Sequence, residues 1–156
     1  MNIETERKFT VDPEFIKQYL KDGVNISQGY LASTDAAVVR VRLYGNQAFL
    51  TIKSAIPDDY AVEEYEYEIP FEDGSNLLKK CESSLSKVRY LVVHGNDIWE
   101  VDVFNDADII VAEFEHYDRT VVDNVKLPSW VTQEVTNDPW YSNYSLAKML
   151  SMQSKE

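Results

Sequence analysis

The sequence predicts an α+β fold built on a closed eight-stranded antiparallel β-barrel, with a charged lumen and helices packed outside. Two observations lead there. First, charged side chains recur at every second residue in six separate segments: Glu4, Glu6 and Lys8; Arg40 and Arg42; Glu64, Glu66 and Glu68; Lys87 and Arg89; Glu100 and Asp102; Glu113 and Glu115. Residues i, i+2 and i+4 of a strand share one face, so each segment has one charged side and one largely apolar side. Second, helical stripes elsewhere in the chain need an apolar surface to cover. Alternating charge on a single strand ordinarily means a solvated face. Six rows of both signs need a further explanation.

In chain order, the first strand, Ile3 to Phe9, sets Glu4, Glu6 and Lys8 against Ile3, Thr5, Arg7 and Phe9. Asp12-Pro13 reads as an N-cap followed by proline at the first helical position. Phe15, Ile16, Tyr19 and Leu20 then predict a helix over about 12–22, with Gly23 as its C-terminal cap. Asn25 to Ser33 reads as a strand with Ile26, Gln28 and Tyr30 on one face, its facing left open by the pattern. Strands Ala37–Tyr44 and Gln47–Ser54 meet at Gly45-Asn46, a tight hairpin signal. After a turn-rich loop at Pro57-Asp58-Asp59 comes a strand over 62–70. Asp73-Gly74-Ser75 opens a second helix to about Leu85, on Leu77, Leu78, Cys81 and Leu85. Lys87–His94 and Asp97–Phe104 form a hairpin around Gly95-Asn96, and Ile109–Tyr117 is the eighth strand. A short helical stretch at 127–130 and a C-terminal helix over Asn143–Met152, with Leu146, Met149 and Leu150 on one face, complete the reading.

An open sheet would turn its charged face to bulk water and leave the gathering of six cations (Lys8, Arg40, Arg42, Lys53, Lys87, Arg89) without a reason. Closure encloses them in a polar lumen, turns the apolar faces out to the helices and removes exposed strand edges. At 156 residues, 44% hydrophobic and 27% charged, the chain fits one domain spanning 1–156. No apolar run reaches the roughly 18 residues of a membrane span, and the N-terminus is not a signal peptide, so a cytoplasmic protein without a membrane partner is expected. Cys81 is the sole cysteine, which excludes an intrachain disulfide framework. A net charge of −12 repels nucleic acid, while the gathered cations point to a small anion.

Glu4-Thr5-Glu6-Arg7-Lys8 resembles the Glu-x-Glu-x-Lys signature of the CYTH superfamily, the triphosphate tunnel metalloenzymes. The resemblance runs on through Gln28-Gly29-Tyr30-Leu31, Val39-Arg40-Val41-Arg42, Leu50-Thr51-Ile52-Lys53, Glu64-Tyr65-Glu66, Lys87-Val88-Arg89, Trp99 to Phe104, Ala112 to Glu115 and Glu134-Val135-Thr136. It implies a triphosphate tunnel in which Glu4, Glu6, Asp102, Glu113 and Glu115 hold Mg²⁺ or Mn²⁺, hard cations that prefer carboxylate oxygen. Lys8, Arg40, Arg42, Lys53, Lys87 and Arg89 would grip the phosphates. Glu64 and Glu66 are lumen acids with no fixed role. Lys8 and Tyr30 would activate the water, with the neighbouring ammonium favouring the phenolate. The implied activity is divalent-metal-dependent hydrolysis of inorganic triphosphate or a small organic triphosphate. The alternatives are a class IV-type adenylate cyclase and a non-catalytic polyphosphate- or nucleotide-binding module. A homodimer is left open. Val62 departs from the pattern, since many relatives carry arginine there, which leaves the substrate's identity open.

Overall fold

The computed structural model describes residues 3–56 and 61–154; the expected turn at Pro57-Asp58-Asp59 lies outside them. Its strands are β1 (Ile3–Val11), β2 (Val24–Ser33), β3 (Val38–Tyr44), β4 (Gln47–Ala55), β5 (Ala61–Ile69), β6 (Ser83–His94), β7 (Asp97–Phe104), β8 (Ile110–His116) and β9 (Val131–Glu134). The helices are α1 (Pro13–Ile16), α2 (Phe71–Leu78), α3 (Arg119–Asp123) and α4 (Asn143–Ser154). The strand order is β5-β4-β3-β2-β6-β7-β8-β1-β9, every pairing is antiparallel, and β5 also pairs with β1. That contact closes an eight-stranded barrel. β1 shares one edge between two partners: Ile3–Thr5 meet β5, and Phe9–Val11 meet the short β9.

Both expected hairpins form, and Gly45 and Gly95 take the positive φ that their tight turns require. The outer face of β1, β6, β7 and β8 carries the main core, with Phe9, Val92, Trp99, Val101, Ala112 and Phe114 packed against Ile16, Val122 and Trp130. α2 lies on β3 and β4 so closely that a Cβ at Gly74 would stand 2.4 Å from that of Ala48. Among the described residues, no helix is long and apolar enough to cross a membrane.

Several expectations need correction. The helix over 12–22 shrinks to α1 and a 3-10 turn at Lys17–Tyr19. Asp12 does cap it, accepting from the Glu14 and Phe15 amides, but of its stripe only Ile16 is fully buried; Leu20 packs half-buried against the core, while Phe15 and Tyr19 stay exposed. So short a helix is not sustained without an apolar surface. Gly23 is not its cap; the chain there crosses Val88 and Tyr90 too closely for any Cβ. The second helix spans Phe71–Leu78, starting earlier and stopping well short of Leu85, which lies on β6 opposite Gln28. Leu78, Cys81 and Leu85 fit a helical spacing, but Leu85, Lys87 and Arg89 equally fit a strand, and sheet pairing decides the matter. The stretch at 127–130 is not a helix; Trp130 instead enters the main core. α3, capped by Asp118, and β9 are additional elements too short for periodicity to reveal.

A second apolar cluster lies at one end of the barrel. Tyr30, Leu85, Phe104 and Val111 pack there against Leu146, Ala147 and Leu150 of α4. By strand alternation, those four residues share the lumen-facing side with Gln28, Lys87, Asp102 and Glu113. The C-terminal helix therefore covers one end of the lumen.

Candidate active site

The lumen is a cavity of about 440 Å³. Glu4, Glu6 and Lys8 reach it from β1, Tyr30 from β2, Arg40 and Arg42 from β3, Lys53 from β4, Glu64 and Glu66 from β5, Arg89 from β6, and Glu113 and Glu115 from β8. Strand alternation alone places these side chains. Glu100 lines it too, and Ser142, Asn143 and Tyr144 enter from the start of α4. Glu100 was legible as the neighbour of Asp102 in the alternation; the α4 residues carry no sequence signal for this position.

Charges of both signs line the lumen. On one wall the carboxylate oxygens of Glu6, Glu113 and Glu115 lie within 4.8 Å of one another, and so could hold a cation. An all-carboxylate donor set suits a hard divalent ion. The Lys8 ammonium stands between Glu113 at 3.7 Å and Glu6 at 3.9 Å. Crowding of like charge shows in the acidities. Burial first, then the hydrogen bond and repulsion from Glu64, raises Glu4 to about 7. Glu115 is exposed to the open lumen, yet the desolvation it does suffer, joined by repulsion from Glu100, Glu4, Glu113 and Glu6, raises it to about 9. Burial and the Glu113 carboxylate also raise Glu6.

On the other wall, Arg42 donates from Nε to Gln28 Oε1 at 2.9 Å, and Gln28 Nε2 donates to the Tyr30 hydroxyl at 3.2 Å. Arg40 lies 3.8 Å from Glu64 and 3.7 Å from Glu66, while Lys53 reaches Glu64 at 4.0 Å. Cross-strand pairing sets Lys53 opposite Glu64 and Thr51 opposite Glu66, with Glu68 beyond them. These acids thus sit among the cations, not in the carboxylate trio. Among the described residues, nothing bonds the buried Nε of Arg40. Val62 lines the lumen as an apolar spot.

Lys87 and Asp102 are brought together, but not to the lumen surface; both are buried behind it. Asp102 accepts from Lys87 Nζ at 2.7 Å and from Arg89 Nε and Nη2 at 2.8 and 2.9 Å. Burial acts to raise Asp102, but Lys87 and Arg89 override it and hold the carboxyl well below its usual range. Burial lowers Lys87 to about 7 against the pull of Asp102, and its ammonium also donates to Asn143 Oδ1 at 3.0 Å. Tyr30 departs from expectation as well. Burial raises its pKa and outweighs Arg40, Arg42 and Lys8, so the phenol, not the phenolate, is the neutral-pH form. Lys8 likewise keeps its proton: burial opposes the charge, but Glu113 and Glu6 prevail.

Residues 2–125 match the CYTH domain model. The chain belongs to the CYTH family. This CYTH chain is 36% identical over 152 residues to an Acetivibrio thermocellus protein named inorganic triphosphatase, the match covering 95% of each. It is 31% identical over 153 residues to a Nitrosomonas europaea protein of the same name, covering 92% of this chain and 96% of the other. Its fold is similar to the crystal structure of an inorganic triphosphatase, with a TM-score of 0.63 and 29% identity over 92% of this chain and 93% of that one. A Pyrococcus horikoshii structure with a TM-score of 0.59 and 19% identity, covering 97% and 87%, shares the fold.

Proposed function

We propose that this CYTH protein hydrolyses a phosphoanhydride bond of inorganic triphosphate, or of a small organic triphosphate, inside the barrel with a divalent cation, Mg²⁺ or Mn²⁺. The observation that carries the reading is one lumen that gathers both signs: a carboxylate trio that could hold a cation, together with Arg40, Arg42, Lys53 and Arg89. Relatives named inorganic triphosphatase, matched along nearly their whole length, support it.

In this reading Glu6, Glu113 and Glu115 hold the metal, with Glu4 beside them. A divalent cation there supplies Lewis acidity toward phosphoryl oxygens. The arginines grip phosphate oxygens by paired N–H donors and Lys53 acts as a point charge. Arg40 offers its unbonded Nε to the anion. Tyr30 accepts from Gln28 and so has its own proton left to donate into the lumen, where it would stabilise charge on a phosphoryl oxygen. Lys8, protonated between two acids, is a counter-charge and not a base. Asp102 and Lys87 serve behind the wall by fixing Arg89.

Incubation with tripolyphosphate, ATP and thiamine triphosphate, each with Mg²⁺ or Mn²⁺, tests the proposal when orthophosphate, pyrophosphate and cyclic AMP are read together. Orthophosphate released from tripolyphosphate only when metal is present is expected. Cyclic AMP as the main product, or binding without turnover, overturns the hydrolase reading.

A further inference from the structure

Outside the lumen, at the end covered by α4, lies a second, solvent-open cavity of about 270 Å³, lined by residues that include Ser33, Glu82, Ser83 and Lys148, all but Ser83 exposed. Two residues line both cavities, Tyr30 and Tyr144. Their rings meet edge to face, with centroids 5.2 Å apart and planes at 84°, a geometry favoured by the ring quadrupoles. Tyr30 is buried on β2 and cannot retreat. Tyr144 is held from the rear. The Lys148 ammonium sits 5.0 Å from its ring centroid.

We infer that this ring pair is the end wall of the tunnel, and that Tyr144 is the specificity-determining residue that limits it to a chain of three phosphates. The inference rests on the triphosphatase reading and deepens it. On the lumen side of the rings stand the cations Lys8, Arg40, Arg42, Lys53 and Arg89; the next cation, Lys148, lies beyond them. A fourth phosphate therefore cannot advance past the rings. At the opposite mouth, formed by the start of β1 and the end of β8, it meets Glu4. Removing the Tyr144 ring would join the two cavities and give a fourth phosphate a place beside Lys148.

The test compares the full-length protein with Tyr144→Ala, Tyr144→Phe and the double variant Tyr144→Ala/Lys148→Met, on linear chains of three and four phosphates with Mg²⁺. The readout is the ratio of kcat/KM for the longer chain to that for the shorter. Tyr144→Ala should raise this ratio roughly tenfold or more, a gain of ~1.4 kcal/mol for the longer chain. Tyr144→Phe, which keeps the ring, should retain the wild-type ratio, and Lys148→Met should cancel the gain of the alanine variant. An unchanged ratio in Tyr144→Ala overturns the inference alone. If the wild type hydrolyses neither chain, the triphosphatase reading fails, and calorimetric affinities for the same two chains decide the inference by the same ratio. Should the alanine variant not fold, as read from its melting curve, Tyr144→Leu makes the same comparison with part of the apolar bulk kept.

Discussion

Replacing Asp102 by asparagine should destabilise the metal-free protein and, at the same time, strengthen its hold on polyanions. Asp102 accepts three charge-assisted hydrogen bonds from two buried cations. Removing one partner of a buried ion pair costs about 3–5 kcal/mol, because the remaining charge is left uncompensated. Here both cations keep something: Arg89 retains Glu100 at 2.8 Å, and Lys87 retains Asn143. The lower end, about 3 kcal/mol, is therefore expected. At about 2–4 °C per kcal/mol for a chain of this size, that is a fall in Tm of roughly 6–12 °C. Arg89, which lines the lumen, is then freed to bind tripolyphosphate more tightly, so the ligand-induced rise in Tm should exceed that of the wild type. Thermal melts with and without tripolyphosphate, both free of metal, measure both effects. If Asp102 were a metal ligand instead, the variant would melt within about 2 °C of the wild type without metal and would need more Mg²⁺ for activity. That outcome would refute the pairing argument.

Glu6→Gln removes a ligand charge with little change of shape, and should raise the Mg²⁺ concentration for half-maximal activity roughly tenfold or more while metal-free tripolyphosphate binding survives; identical metal titrations would remove Glu6 from the site. Tyr30→Phe keeps the ring and deletes the donor, so kcat should fall roughly 10²-fold. A wild-type kcat in that variant contradicts this assignment. The metal-free protein should lose stability as pH rises from 5 to 7. Glu4 and Glu115 have folded pKa values raised to about 7 and 9, so the stability they contribute is complete below the unfolded value and disappears as pH climbs through the folded ones. Contact of Glu115 with lumen water reduces its share. Lys87, lowered to about 7, acts in the opposite sense only above that pH. Saturating Mg²⁺ should flatten the slope, and a metal-free Tm that rises from pH 5 to 7 would count against the crowded carboxylate wall.

What the sequence determined by itself is the face each charged residue occupies. Successive side chains of a strand point to opposite sides for local steric reasons, so Glu4, Glu6 and Lys8, or Arg40 and Arg42, share a side whatever surrounds them. Alternation in several segments, together with helices needing an outer surface, was enough to imply closure and hence a charged interior. Which charges answer which could not be read that way. Asp102 and Glu113 look alike in the alternation, yet Asp102 lies opposite Arg89 in the strand register and is neutralised behind the wall, whereas Glu113 lies opposite Lys8 and joins the trio. Tyr30 shows the same limit. Its cationic neighbours were foreseeable, but whether they or desolvation would prevail depended on how deeply the folded barrel and α4 bury the ring. The position of α4 across one end of the lumen, with Asn143 on Lys87 and Tyr144 on Tyr30, joins residues more than 50 positions apart. Only long-range packing of the Leu146 face against the barrel end brings them together, and no local spacing records it.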